Sequence, residues 1–108
     1  MKLFTKEILN KIPALGSTDG QKDVKVQVKL FNPIGAGTWY LTEYDPKGKL
    51  AFGFANLGDP QMAELGYISI KELEDLKLPL GMGIERDINF SPRLLSEIID
   101  VIKGGGHV

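Results

Sequence analysis

Cysteine is absent from this chain of 108 residues, and histidine and tryptophan occur once each. The first absence removes disulfides, thiolate metal sites and cysteine nucleophiles together, and it favours a cytoplasmic setting. The scarcity of histidine leaves no pair for a metal and no triad, because His107 stands alone in a glycine-rich end of the kind that is commonly unanchored. Neither sign of charge is in excess, with 13 basic residues against 14 acidic. A nucleic-acid binder ordinarily shows a basic surplus or stripe. Here the densest basic stretch, Lys22 to Lys29, interleaves lysines with valines and reads as the solvent face of a strand, so nucleic acid is not favoured as a partner. No apolar run approaches bilayer-spanning length, and the start Met-Lys-Leu-Phe-Thr-Lys-Glu lacks an apolar signal core, which disfavours membrane insertion and secretion. No stretch reads GxxxxGK[ST], and Gly35-Ala36-Gly37 lacks the strand–loop–helix setting of a phosphate cradle. No cofactor is expected.

What is present is a set of local folding signals. Thr5 is placed to cap a helix from Lys6, with Phe4 and Leu9 at hydrophobic-staple spacing. Ser69 is placed to cap a second helix from Ile70, with Glu72 completing a capping box. Ser91 followed by Pro92 predicts a third, whose Leu94, Leu95, Ile98, Ile99 and Ile102 form one apolar stripe. Val24, Val26, Val28 and Leu30 alternate with polar residues as a half-buried strand does. Further extended segments are expected around Gly66 to Ile70 and Ile84 to Asn89. The length suits one domain able to bury a core without staples. The fold class is therefore α+β: an antiparallel β-meander of three to five strands, an N-terminal helix, a short helix after the sheet and an amphipathic C-terminal helix. The domain is expected over residues 1–103, with 104–108 a flexible glycine-rich tail.

The clearest signal is Thr38 to Phe54, two strand-like runs joined by Asp45-Pro46-Lys47-Gly48. Asp at the first turn position, Pro at the second and Gly at the fourth match a type I turn closed by a glycine bulge. Pairing Asp45 with Lys49 places Tyr40, Thr42 and Tyr44 opposite Phe54, Phe52 and Leu50 on one aromatic face. The other face then holds Trp39, Leu41 and Glu43 opposite Ala55, Gly53 and Ala51. Such a shallow surface admits close packing by a helix, a neighbouring chain or a ligand. A slip of one residue would exchange the faces.

Few side chains carry chemistry. Glu43, Glu64, Glu85 and Asp87 could hold a hard cation if they converged, although nothing in their spacing requires it. The ordinary reading of Glu85-Arg86-Asp87 is a salt-bridged segment. Trp39, Tyr67 and Arg86 are residue types favoured at interaction surfaces. The order Met-Lys-Leu-x-Thr-Lys-Glu, Thr38-Trp39-Tyr40-x-Thr42-Glu43-Tyr44-Asp45, Phe52-Gly53, Glu64-Leu65-Gly66-Tyr67-x-Ser69, Glu72-Leu73 and Gly83-x-Glu85-Arg86-Asp87-x-x-Phe90-x-Pro92 resembles a family of small bacterial proteins classed only as a domain of unknown function. Members of that family are frequent on plasmids and other mobile elements. The resemblance runs from the start to about Pro92, leaves Gly104 to Val108 outside its pattern, and carries over no catalytic residue. It implies a bacterial, cytoplasmic protein encoded on a mobile element.

These readings converge on a non-enzymatic protein-interaction module with a mobile-element or host-defence role. Its contact residues would be Trp39, Glu43, Tyr67, Glu85, Arg86 and Asp87, its partner a protein of unspecified identity and its oligomeric state open. The alternative is a metal-assisted hydrolase or nuclease built on the clustered carboxylates.

Overall fold

Thr5 and Ser69 each open a helix, as their spacing predicts. The computed structural model describes residues 2–108. Thr5 Oγ1 accepts from the Ile8 N–H at 3.2 Å and starts α1, Lys6–Lys11. Ser69 Oγ accepts from the Glu72 N–H at 3.2 Å and starts α2, Ile70–Asp75. The strands are β1 Lys25–Val26, β2 Val28–Phe31, β3 Thr38–Asp45, β4 Leu50–Asn56, β5 Glu64–Ser69, β6 Glu85–Arg86 and β7 Arg93–Leu94, and α3 spans Leu95–Lys103. Five strands form one antiparallel sheet in the order β5-β4-β3-β2-β6, and β1 pairs with β7 in a second, two-stranded sheet. The architecture is α+β.

Both faces of the main sheet are covered. Val28, Leu30, Leu41, Ala51 and Ile68 pack with Leu3, Ile12 and Ile70, and Phe4, Ile8 and Leu73 extend that core. Phe4 lies stacked on Tyr44 with ring centroids 4.1 Å apart. On the other face, Val26, Tyr40 and Phe54 pack against Ile98 and Ile102 of α3. The small-residue face of the hairpin therefore lies under helices rather than open to solvent.

The structure departs from the sequence expectation in two places, the β3–β4 hairpin and the start of α3. The β3–β4 pairing keeps the expected partners Trp39↔Ala55, Tyr40↔Phe54 and Leu41↔Gly53, then shifts between Leu41 and Glu43, so that Glu43 meets Phe52 and Tyr44 meets Ala51. Thr42 is the extra residue of a β-bulge. Its buried hydroxyl donates to the Phe52 carbonyl at 3.1 Å, occupying the ladder where the bulge interrupts it. The single aromatic face is thereby divided: Tyr40 looks toward α3 and Tyr44 toward Phe4. At the turn itself Asp45 Oδ1 accepts from the Lys47 N–H at 3.1 Å, and the left-handed residue is Lys49 (φ 50°) rather than Gly48.

The second departure concerns α3. Ser91 and Pro92 do not start it, because the following Arg93 and Leu94 pair with Val26 and Lys25 and Leu95 N–H donates to the Val24 carbonyl at 2.8 Å. The cap comes from Asp23 instead, whose carboxylate accepts from both the backbone N–H and the hydroxyl of Ser96. The Ser96 hydroxyl bond, with further amide bonds from Ser96 and Val24, outweighs burial and holds the Asp23 carboxyl below its ordinary value of 3.8. A lowered folded value means that the cap stabilises above the unfolded pKa and is lost as pH falls through the folded one. Asp23→Ala is expected to fray the first turn of α3. Amide exchange should quicken at Leu95 to Glu97 near neutral pH, whereas unchanged exchange there would remove Asp23 as the cap.

Candidate functional site

The cap at Thr5 aims α1 across the start of β2 and beside the segment that follows β6. Between them lies a cleft of about 280 Å³. Ile8 and Val28 supply its apolar floor, and Ile88, Phe90 and Pro92 one wall. Ile88 is 71% exposed. Polar groups reach the cleft from Thr5, Glu7, Lys11, Gln27, Arg86 and Asp87.

The charged groups at the cleft have internal partners. Glu7 and Lys11 pair across one helical turn at 3.2 Å. Asp87 faces Lys29 at 3.6 Å, and its Oδ1 also accepts from the Asn89 N–H at 2.9 Å. Arg86 Nη1 donates to the carbonyls of Lys2 and Leu3 at 2.7 and 3.0 Å, clamping the N-terminal segment onto the edge strand. The half-buried Gln27 is different: among the described residues nothing hydrogen-bonds its carboxamide. The site thus offers an apolar wall and an unengaged amide, framed by charged groups that already have internal partners. Burial and, less strongly, the Asp87 charge push the Tyr40 hydroxyl above its ordinary value.

The sequence-derived contact residues fall in three places. Glu85 and Arg86 form β6, opposite Phe31 and Leu30, and Asp87 follows them. Tyr67 stands 69% exposed on β5 at the opposite edge of the sheet, edge-to-face with Phe52 at 5.2 Å. Glu43 lies in the interior and Trp39 at its margin. The Trp39 indole is half-buried against the α1 and α2 core and passes so close over Gly37 that a Cβ there would meet the ring at 2.9 Å. Glu43 is 3% exposed, and its carboxylate accepts from the N–H of Gly16 at 2.7 Å, from the N–H of Thr18 at 3.0 Å and from the Thr18 hydroxyl.

The carboxylate cluster does not form. Glu64 and Glu85 sit on opposite edge strands, four strand spacings or about 19 Å apart at ~4.8 Å each. A shared cation needs every oxygen within ~2.6 Å of it. Among the described residues no group of three or more His, Asp or Glu side chains could hold a metal ion.

Sequence reasoning missed the contribution of α1 and Gln27 to the cleft. Position 27 reads locally as the outer face of a strand; only the fold brings Thr5, Gln27 and Phe90 around one concavity.

An α+β domain with a covered sheet and one mixed apolar and polar cleft defines a fold class and a surface, but no reaction. A family model described as protein of unknown function (DUF2958) matches residues 3–108, and the chain belongs to that family. The match extends past Pro92 and takes in the glycine-rich end. That end folds back on α3: Gly104, Gly105 and Gly106 N–H groups donate to the carbonyls of Asp100, Ile102 and Val101, and the Tyr40 hydroxyl donates to Val108 O at 3.3 Å. No curated protein and no solved structure matches the chain. Among the described residues no helix is long and apolar enough to cross a membrane.

Proposed function

We propose that the protein is a non-enzymatic interaction module whose receptor surface is the cleft between α1 and the Glu85 to Pro92 segment. One observation carries this reading: the cleft's charges are internally engaged, while its Ile88 and Pro92 wall is exposed and the Gln27 carboxamide is not hydrogen-bonded. A charged ligand would have to break existing pairs; an uncharged peptide segment would not. Such a segment would seat an apolar side chain between Ile8, Ile88 and Pro92 and exchange backbone hydrogen bonds with Gln27. The volume lies near the lower limit of pockets that enclose a small molecule, roughly 300 Å³, and suits one or two side chains. The cytoplasmic, bacterial and mobile-element or host-defence setting is part of the proposal and rests on the family resemblance; genomic neighbourhood tests it.

Panning the immobilised protein against displayed random peptides is the direct test. Selected peptides should share an apolar anchor without a charge requirement. When titrated into isotope-labelled protein they should shift resonances of Ile8, Gln27, Ile88 and Phe90. Gln27→Ala should then weaken binding roughly 5- to 10-fold, the worth of one net hydrogen bond. Peptides that map to another surface, or whose affinity ignores Gln27, would overturn the assignment.

A further inference from the structure

The two edges of the main sheet are built differently. β6 is two residues long and both are charged, with the Arg86 guanidinium turned onto backbone carbonyls. Short length and charge are devices that protect an edge from further pairing. β5 has neither. It runs six residues, contains no lysine or proline, and pairs with β4 in unbroken register.

The register also fixes what β5 offers. Ile70 N–H donates to the Lys49 carbonyl at 2.9 Å, and β5 continues the same pairing through Ile68↔Ala51 and Gly66↔Gly53. By the alternation of an antiparallel ladder, Gly66 and Ile68 turn their peptide groups toward β4, and Leu65 and Tyr67 turn theirs outward. The side chains of these same residues are 45% and 69% exposed, on the face shared with their partners Phe54 and Phe52. Free ladder groups and apolar surface thus occur together. Glu64 alternates to the other face, the one that α2 covers.

Charge selects the occupant. Residues 57–77, comprising the approach to β5, the strand and α2, hold Asp59, Glu64, Glu72, Glu74 and Asp75 against Lys71 and Lys77, a net charge of −3. Residues 1–31 hold six lysines against three acids, a net charge of +3. Lys71 is paired to Asp75 at 2.9 Å and Lys49 to Glu74 at 2.8 Å, so the acids outside these pairs are Asp59, Glu64 and Glu72, against Lys77 and the Lys103 ammonium on the Ala63 carbonyl. A second copy offering the same edge would set like charge against like, which opposes association. We propose that β5 accepts an extended protein segment in which apolar residues alternate with lysine or arginine. The backbone of that segment pairs with Leu65 and Tyr67. Its apolar side chains lie on the Leu65, Tyr67 and Phe52 surface, and its cations reach the Glu64 and α2 side. This is the β-augmentation mode of peptide recognition. It is separate from the cleft, which lies at the other edge.

Short synthetic peptides alternating valine with lysine, and valine with glutamate, test the idea on the full chain. The lysine peptide should slow amide exchange at Leu65 and Tyr67, the outward positions. It should bind at least about tenfold more tightly than the glutamate peptide at low salt, a gap that narrows as salt screens it. Glu64→Lys and Tyr67→Lys change exposed side chains only and should each weaken the lysine peptide, with circular dichroism confirming an intact fold. Unaltered exchange at Leu65 and Tyr67, or equal binding of the two peptides, would overturn the proposal. Protection that grows with protein concentration in the absence of peptide would overturn it in favour of a second copy.

Discussion

Gly53→Ala should cost about 3–5 kcal/mol of folding free energy, enough to leave the domain largely unfolded if its stability lies at the lower end of the usual ~5–15 kcal/mol. A Cβ at Gly53 would lie 2.0 Å from the Tyr40 carbonyl oxygen, 2.9 Å from its carbon and 3.0 Å from Leu41 Cα. These are backbone atoms, so no side-chain rotation relieves the clash. Nor is β3 free to withdraw, because Tyr40 and Leu41 pair on their other side with Lys29 and Val28. The bulge at Thr42 begins beside this contact, and the close approach of the two strands is part of its geometry. Gly66 provides the control. It is the direct β5 partner of Gly53, yet a Cβ there meets nothing within 4 Å. Gly66→Ala should therefore stay within about 1 kcal/mol of the parent, the ordinary glycine-to-alanine range. Urea denaturation of the two variants decides the matter. If Gly53→Ala is as stable as Gly66→Ala, the strands can part without loss and the account of the bulge is wrong.

That glycine also shows how far the sequence was legible. Its neighbourhood of small residues was readable as a place of close packing, but the atoms that approach it belong to the adjacent strand and not to a ligand. Most features whose cause lies within a few residues are legible, the left-handed position of the turn, Lys49 and not Gly48, being the exception. Thr5 and Ser69 cap helices through bonds spanning three positions, and Asp45 closes its turn through one spanning two. Ser91 has the same local credentials and failed, because Asp23, 73 positions before Ser96, takes the helix terminus while β1 claims the intervening backbone. The bulge at Thr42 has no local marker either. With helices on both faces, Tyr40 and Tyr44 are equally well buried on opposite sides, so hydrophobicity alone does not fix the parity of β3. The same division holds for the cleft. Glu85 to Asp87 was recognisable as a charged segment, but its pairing to Lys29, Lys2 and Leu3 depends on chain brought in from far away.

Glu43 presents the second large effect, and one whose pH dependence separates charge from packing. Its carboxylate holds the loop between α1 and β1 onto β3, receiving the Gly16 and Thr18 N–H groups and the Thr18 hydroxyl; beside it the Tyr44 N–H donates to the Pro13 carbonyl at 3.0 Å. Burial alone would raise the Glu43 pKa. The Thr18 hydroxyl and the two amide bonds outweigh it, and the net shift is below the ordinary value of 4.5. Glu43→Gln keeps the shape but turns an NH₂ group toward donors, leaving buried donors unsatisfied. It should cost about 2–3 kcal/mol at neutral pH, the range for losing hydrogen bonds to a buried charge. A carboxylate whose folded pKa is depressed contributes fully above the unfolded value, and that contribution disappears as pH falls through the folded value. The stability gap between parent and Glu43→Gln should therefore be widest above about pH 5 and shrink steadily below pH 4.5. Thr18→Val removes the hydroxyl donor but keeps the amide, so it should account for about 1 kcal/mol and couple non-additively to Glu43→Gln. Denaturation curves collected from pH 3 to 7 measure all three quantities. A gap that does not change with pH would mean that the Gln side chain is tolerated or rejected by shape alone. The loop would then be held by packing and by the Tyr44 to Pro13 bond, with the Glu43 charge incidental to it.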